Sequence, residues 1–342
     1  MRLAARIKVM SRMDISERRI PQDGRIKLNL SKNRAIDFRV NTCPTLFGEK
    51  SVLRILDPSS AKMGIDALGF EPDQKAVLLE NLHKPYGMFL VTGPTGSGKT
   101  VTLYTGVNIL NQPEINISTA KYPVEITLAV VNQVNGNPKV GLDFGSALRA
   151  FFRQVPDVFL VGEIRDFETA EIAIQASLTG HLVFATLHTN DALSAIVRLQ
   201  DMGVEPYLVA SSLVMAQAQR LVRRLCEHCK TARPLTDAEI QALEIDKEEF
   251  AGVSELYEAC GCDHCLQTGF LGRVAVYEMA MVSDAMRNAI HNGKGLPALR
   301  KLAQHEGMKT LRRDGAQHVL AGLTTVDEVV RVSQEEMMVV EA

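Results

Sequence analysis

Apolar residues fall in short runs spaced through the middle of the chain. Met88-Phe89-Leu90-Val91-Thr92, Ile115–Thr119, Val158–Gly162 and Leu182–Thr186 each read as a buried strand. The segments between them carry helical spacing, as in Lys99–Leu110. Short apolar strands alternating with helices predict an α/β fold with a parallel sheet covered on both faces.

Upstream the pattern differs. Leu3 to about Met13 reads as a helix that stops near Asp14. Asp23-Gly24 supplies turn chemistry between two extended runs. Ile36–Asn41 alternates strictly, as a half-buried strand does, and Ser51–Leu56 reads as the next strand. The connection from Cys43 to Lys50 holds Pro44 and Gly48. This small α+β unit has no strand before its first helix, so it reads as the back part of a larger domain. Asp57-Pro58-Ser59-Ser60 reads as a linker. Past Ala216 a basic stretch leads into a cysteine-bounded insert, and beyond Gly272 the pattern is mostly helical. A capping box at Thr325 predicts a last helix of about Thr325 to Glu336.

At 342 residues the chain has room for two or three domains. A net charge of −2 leaves no basic excess for general nucleic-acid binding. No apolar stretch is long enough to span a bilayer, and the N-terminus lacks the apolar centre of a secretory signal, so a cytoplasmic protein is expected.

One stretch carries specific chemistry. Gly93-Pro94-Thr95-Gly96-Ser97-Gly98-Lys99-Thr100 fits the phosphate-loop pattern at every fixed position and lies between a strand and a helix. Glycines let backbone N–H groups curl around phosphate oxygens, and the helix N-terminus adds a positive field. Lys99 would reach the β and γ phosphates of a nucleoside triphosphate, and Thr100 would ligate Mg²⁺. Three further groups follow strands of the same alternating region. Glu163 is a candidate to orient or deprotonate the attacking water. His188 is a candidate phosphate sensor, though a lone histidine is as often structural. Glu125 is a weaker candidate for the outer metal shell. Arg39 and Arg54 sit on separate expected strands. Arg149 and Arg153 are spaced to share a helix face, and Arg165 lies just past Glu163. Each arginine taken singly reads better as part of a solvated face.

The cysteines form the second signal. Cys226-x-x-Cys229 and Cys262-x-x-Cys265 place four thiols within reach of one structural Zn²⁺. Cys260 complicates the choice of ligands. Cys43 reads as a buried apolar cysteine.

Together the phosphate loop, Val161-Gly162-Glu163-Ile164-Arg165-Asp166, Gly180-His181-Leu182, His188-Thr189-Asn190-Asp191 and the cysteine pairs resemble the secretion ATPases of type II secretion and type IV pili. Within that family the resemblance is strongest to the pilus-assembly (extension) branch. It implies a hexameric motor with a RecA-like P-loop ATPase domain, a partial PAS-like N-terminal domain, a tetracysteine lobe and C-terminal helices. The corresponding boundaries are 1–57, a linker at 58–72, the ATPase core at 73–218, the metal lobe at 219–275 and the helical region at 276–342. The chain is then expected to begin inside the second of the family's two N-terminal domains. Arg39 and Arg54 match arginines placed over the phosphates, and Arg149, Arg153 and Arg165 match phosphate-side or intersubunit arginines. Glu163 matches the Walker B glutamate and His188 the histidine box. The implied partner is an inner-membrane platform protein, which would hold the motor peripherally at that membrane. A type II secretion client is the alternative.

Two departures stand out. The family's acidic box usually reads Glu-Asp-Pro-Val-Glu, whereas this chain has Lys121-Tyr122-Pro123-Val124-Glu125. Val155 stands where the family usually has Asp. The altered box raises a reading of another class, a nucleotide-binding subunit that is weakly active or inactive.

Overall fold

The computed structural model describes residues 2–31, 34–56, 64–137, 140–244 and 255–333. By its internal contacts the chain divides into two compact units.

The first unit holds α1 (Arg2–Met10), β1 (Gln22–Ser31), β2 (Arg34–Thr45) and β3 (Gly48–Leu56), together with the segment Pro123–Ala129. The strands form an antiparallel sheet in the order β1-β2-β3. Met13, Ile26 and Val40 make its core, with Ile7 and Phe38 packed against them. Lys8 is buried, donates to the Glu17 carbonyl at 2.7 Å and pairs with Glu49. Arg25 pairs with Asp37 at 2.8 Å and donates to the Val124 carbonyl at 2.9 Å.

Three local expectations change here. Asp23-Gly24 is not a turn but lies inside β1. The glycine is needed because a Cβ at Gly24 would meet the Ser11 carbonyl oxygen at 2.5 Å, where the end of the α1 segment crosses the strand. The loop expected at Cys43–Lys50 narrows to a hairpin at Leu46-Phe47, with β2 and β3 continuing on either side. Cys43 is exposed rather than buried, because its side chain leaves the sheet on the face opposite to that of the buried Thr42.

The second unit runs through α2 (Pro72–Leu82), β4 (Gly87–Thr92), α3 (Lys99–Leu110), β5 (Ile117–Lys121), β6 (Asn132–Asn135), α4 (Phe144–Phe151), β7 (Val158–Val161), α5 (Phe167–Leu178), β8 (Leu182–Leu187), α6 (Ser194–Asp201), α7 (Pro206–Ser212) and β9 (Leu213–Leu225). It continues with β10 (Thr231–Pro234), α8 (Asp237–Leu243), β11 (Glu255–Glu258), β12 (Phe270–Met281), α9 (Asp284–His291), α10 (Leu296–His305), α11 (Leu311–Leu320) and α12 (Val326–Ser333).

Its main sheet has the order β12-β9-β4-β8-β7-β5-β6. All neighbours are parallel except β12, which runs antiparallel to β9 at one edge. Every residue of β4, β7 and β8 is buried, as expected for strands covered on both faces. The protein is therefore an α/β fold built on a mixed sheet.

The expected boundaries at 218/219 and 275/276 fall inside β9 and β12, two strands of this sheet. The cysteine-bearing segment leaves the sheet at the end of β9 and returns to it at β12. Between them, β10 and β11 pair, and Leu243 and Leu256 pack with Ala316, Val319, Val326 and Val329 of the last two helices. The linker expected at 58–72 lies outside the described residues as far as Met63, and α2 begins at its last residue. The expected last helix is seen from Val326 to Ser333, and its remainder lies outside the described residues.

Candidate nucleotide site and cysteine cluster

The strand order puts the ends of β4, β8, β7 and β5 side by side. The loop 93–100 leaves the carboxyl end of β4 and enters α3. Gly98, just before the helix, has φ 92°, a left-handed backbone that favours glycine. A Cβ there would also meet the Gln219 amide nitrogen at 2.6 Å, and one at Gly93 would meet the Gln219 carbonyl oxygen at 2.5 Å. Lys99 lies across the loop and donates to the carbonyls of Gly93 at 2.6 Å and Pro94 at 3.1 Å.

Sequence reasoning missed what supports this loop. Gln219 and Arg220 on β9 are both buried. Gln219 accepts from the Thr102 hydroxyl at 2.8 Å, and Arg220 donates to the Asn190 carbonyl at 2.6 Å. Burial pulls the Arg220 guanidinium below its usual range. The available signal was a glutamine and an arginine set in an otherwise apolar run. Thr92, the last residue of β4, accepts from the Thr189 N–H at 2.8 Å and so ties the loop's base to the histidine-box segment.

Glu163 and His188 come together. Their segments are locked by an Ile164 N–H to Thr186 carbonyl bond of 2.9 Å and a Thr186 hydroxyl to Gly162 carbonyl bond of 2.6 Å. Glu163 Oε1 is 3.1 Å from His188 Nε2, and Arg165 pairs with Oε2 at 2.6 Å. The carboxylate is thus mostly covered, between an imidazole and a guanidinium.

The other candidates are more scattered. Arg149 pairs with Glu168 on α5. Arg153 lies past the end of α4, donating to the Arg149 carbonyl at 3.3 Å, so the two do not share a helix. Arg39 and Arg54 are direct cross-strand partners on β2 and β3, and with Asp23, Asn41 and Val52 they line a polar hollow of the first unit. Glu125 belongs to the segment grouped with that same unit.

The altered acidic box has a defined place. Lys121 ends β5, and its ammonium donates to the Thr100 hydroxyl at 2.6 Å. It also lies 5.2 Å from the centroid of the Tyr104 ring. Thr100 and Tyr104 are four apart on α3 and share the face turned to Lys121. Mg²⁺ binds oxygen ligands at about 2.0–2.1 Å in near-octahedral geometry. At an effective dielectric near 20, two like unit charges about 4 Å apart repel by about 4 kcal/mol, and a divalent ion doubles this. The Thr100 hydroxyl in this arrangement does not fit Mg²⁺.

The cysteine cluster does fit a metal. The sulfurs of Cys226, Cys229, Cys262 and Cys265 all lie within 4.8 Å of one another. Cys226–Cys262 is 3.9 Å, Cys229–Cys265 is 3.8 Å and Cys262–Cys265 is 3.7 Å. Tetrahedral zinc with bonds near 2.3 Å needs sulfurs about 3.8 Å apart. Burial works against the Cys265 thiolate, but N–H groups of Cys262 and Gly269 point at its sulfur and bring its pKa down to about 6. Cys260 is outside the cluster, 3.0 Å from the Thr231 hydroxyl.

Residues 1–331 match the model of the family described as type II/IV secretion system protein. The chain belongs to that family. Among curated secretion-system relatives it is 55% identical over 337 residues to the type IV pilus assembly ATPase PilB of Acinetobacter baylyi, covering 98% of this chain and 58% of that protein. It is 47% identical to the type II secretion system protein E of Aeromonas hydrophila, covering 98% of this chain and 66% of that protein. The chain therefore spans somewhat over half the length of its pilus-assembly relatives. Among solved structures of the family's kind, the pilus retraction motor PilT with bound ADP superposes with a TM-score of 0.68 at 28% identity, covering 93% of this chain and 79% of that one. Among the described residues no helix is long and apolar enough to cross a membrane.

Proposed function

We propose that this chain is the nucleotide-driven part of a type IV pilus-assembly motor. The observation that carries the reading is the loop 93–100 beside the Glu163–His188 pair. The higher identity to PilB than to the type II secretion protein favours the pilus client, with pseudopilus extension as the alternative. In this reading the second unit is a RecA-like ATPase domain and the first a partial PAS-like domain. The loop N–H groups and Lys99 hold the phosphates of ATP. Glu163 draws the proton from the attacking water, with His188 reporting the γ-phosphate. Arg149, Arg153 and Arg165 supply positive charge on the phosphate side or to a neighbouring subunit of a homo-hexamer, while Arg39 and Arg54 serve the phosphates from the N-terminal domain. Glu125 is left with an auxiliary role. Cys226, Cys229, Cys262 and Cys265 hold a structural Zn²⁺ that clamps the end of β9 to the start of β12. Subunit closure would work on an inner-membrane platform protein from the cytoplasmic side.

One observation favours a second reading. The Lys121–Thr100 hydrogen bond points to a subunit that binds nucleotide and turns it over slowly. Steady-state ATP hydrolysis by the purified chain, beside a Lys121→Glu, Tyr122→Asp double variant, tests both. Turnover in both that Lys99→Ala abolishes supports the motor. Turnover in the double variant alone supports the slow subunit. No turnover in either overturns the ATPase reading.

A further inference from the structure

We propose that Glu278 is a positioning residue for hydrolysis: its carboxylate clamps the segment that carries His188 to the start of α11. The inference rests on the ATPase reading above and adds to it a residue that acts through His188.

The segment from His188 to Ala192 follows β8 with no helix or strand of its own. Side chains of β4, β9 and β12 hold it. Thr92 accepts from the Thr189 N–H at 2.8 Å, and Arg220 donates to the Asn190 carbonyl at 2.6 Å. Both also lie at the phosphate loop. Thr92 is the last residue before it, and a Cβ at Gly93 would come within 3.1 Å of Arg220 Nη1. Glu278 Oε1 accepts from the Ala192 N–H at 2.9 Å. Its Oε2 accepts from the N–H of Leu311, the first residue of α11, at 3.4 Å. One carboxylate thus joins the histidine-box segment to a C-terminal helix.

Glu278 is 6% exposed. The register sets Glu278 against Ala218 and Val276 against Arg220, so Glu278 and Arg220 share one face of the sheet edge. Ala192, Val276, Ala280 and Leu311 around it belong to the main apolar cluster. An apolar side chain would pack there without the cost of burying a carboxylate. It could not accept backbone N–H groups from two separate elements. The charged groups facing Glu278 among the described residues are Asp191, Arg220 on β9 and Arg300 on α10, which pairs with Asp191 at 3.6 Å. The start of α11 adds the positive end of a helix. Burial, reinforced by Asp191, pushes the Glu278 carboxyl up to about 7 against the pull of the Ala192 and Leu311 N–H groups and Arg300. The ionised form accepts with both oxygens. Protonation turns one acceptor into a donor and loosens the clamp.

Steady-state ATP hydrolysis between about pH 6 and about pH 8 tests this, in the full chain and in its Lys121→Glu, Tyr122→Asp variant as parents. In a parent that turns over, kcat should rise through about pH 7 as Glu278 ionises. Glu278→Gln keeps the shape but offers one acceptor oxygen. It should lower kcat near the top of that range by about tenfold or more, leave KM for ATP within about threefold and abolish the rise. Its melting temperature there should not fall, because a carboxyl whose pKa is raised on folding destabilises the folded chain once ionised. A purely structural Glu278 would instead lower the melting temperature and leave the rise in place, and that result overturns the proposal. So does a flat kcat in a parent whose turnover Lys99→Ala abolishes, a comparison that needs no Glu278 variant and leaves the ATPase reading standing. No turnover in either parent overturns that reading and the proposal with it.

Discussion

His188 Nε2 lies 3.1 Å from Glu163 Oε1, although the two residues follow different strands of the main sheet. β7 and β8 are parallel neighbours, and their register sets Val161 against Ala185, so both strand ends deliver a side chain into one space. Arg165 holds the other carboxylate oxygen at 2.6 Å. A carboxylate held on both oxygens is oriented, and orientation is what a base toward water needs. Glu163→Gln should lower ATP turnover by about a hundredfold or more, with nucleotide affinity changed by less than about threefold. The comparison belongs both in the chain as it stands and in the Lys121→Glu, Tyr122→Asp background. Unchanged turnover in both would remove Glu163 from the role of base.

The four sulfurs join the end of β9 to the start of β12, so a metal there closes a long loop onto the sheet edge. The purified chain should carry about one zinc by elemental analysis, and Cys262→Ser should lose it. The same variant should unfold at lower temperature, because the binding free energy of a structural zinc is folding free energy. A metal-free chain that is as stable as the zinc-loaded one would refute the assignment.

The placement of the candidate groups was legible in contiguous residues. The loop 93–100, Glu163 and His188 each lie just past an apolar run of a regular α/β alternation, and each cysteine pair announces itself by spacing. The two long strands at the sheet's edge were not legible. β9 carries Gln217, Gln219, Arg220, Arg223 and Arg224, and β12 carries Arg273 and Glu278, so neither reads as a covered strand. Three of the buried polar groups are satisfied at a distance in sequence, while the buried Gln217 amide has no hydrogen-bond partner among the described residues. Gln219 meets Thr102, Arg220 meets Asn190, and Glu278 accepts from the Ala192 N–H at 2.9 Å. Local pattern cannot reveal such pairings, because the partner that makes burial tolerable is many residues away. The same applies to Lys121, whose significance depends on where α3 places Thr100.

Val155 has φ 49° and is 81% exposed. A β-branched residue in the left-handed region is strained, and here no buried contact repays it. The turn is held in place by the Asn116 side chain, which donates to the carbonyls of Gln154 and Val155 at 2.9 Å each. Asn and Asp tolerate this backbone better than Val. Val155→Asn should therefore stabilise the chain by about 1 kcal/mol in denaturant unfolding. A neutral or destabilising result would mean that the turn relaxes in solution.

Glu328 on α12 is 2% exposed and joins that helix to β9. Its carboxylate accepts from the Arg223 N–H at 2.9 Å, the Arg223 guanidinium at 2.8 Å and the Arg331 guanidinium at 2.8 Å. Burial alone would raise its pKa, but the bonds from Arg223 and Arg331 prevail and bring it down from 4.5 to about 2. The unfolded chain holds a proton on this group between those two values while the folded chain does not. The stabilisation is therefore fully present above the unfolded value and is lost as pH falls through about 2. A shift of that size corresponds to roughly 3 kcal/mol at neutral pH. Glu328→Gln should cost roughly that much in denaturant unfolding at pH 7, and the difference from the unaltered chain should shrink steadily below about pH 4. A cost that stays constant down to the acid limit would show that Glu328 acts through packing rather than through its charge.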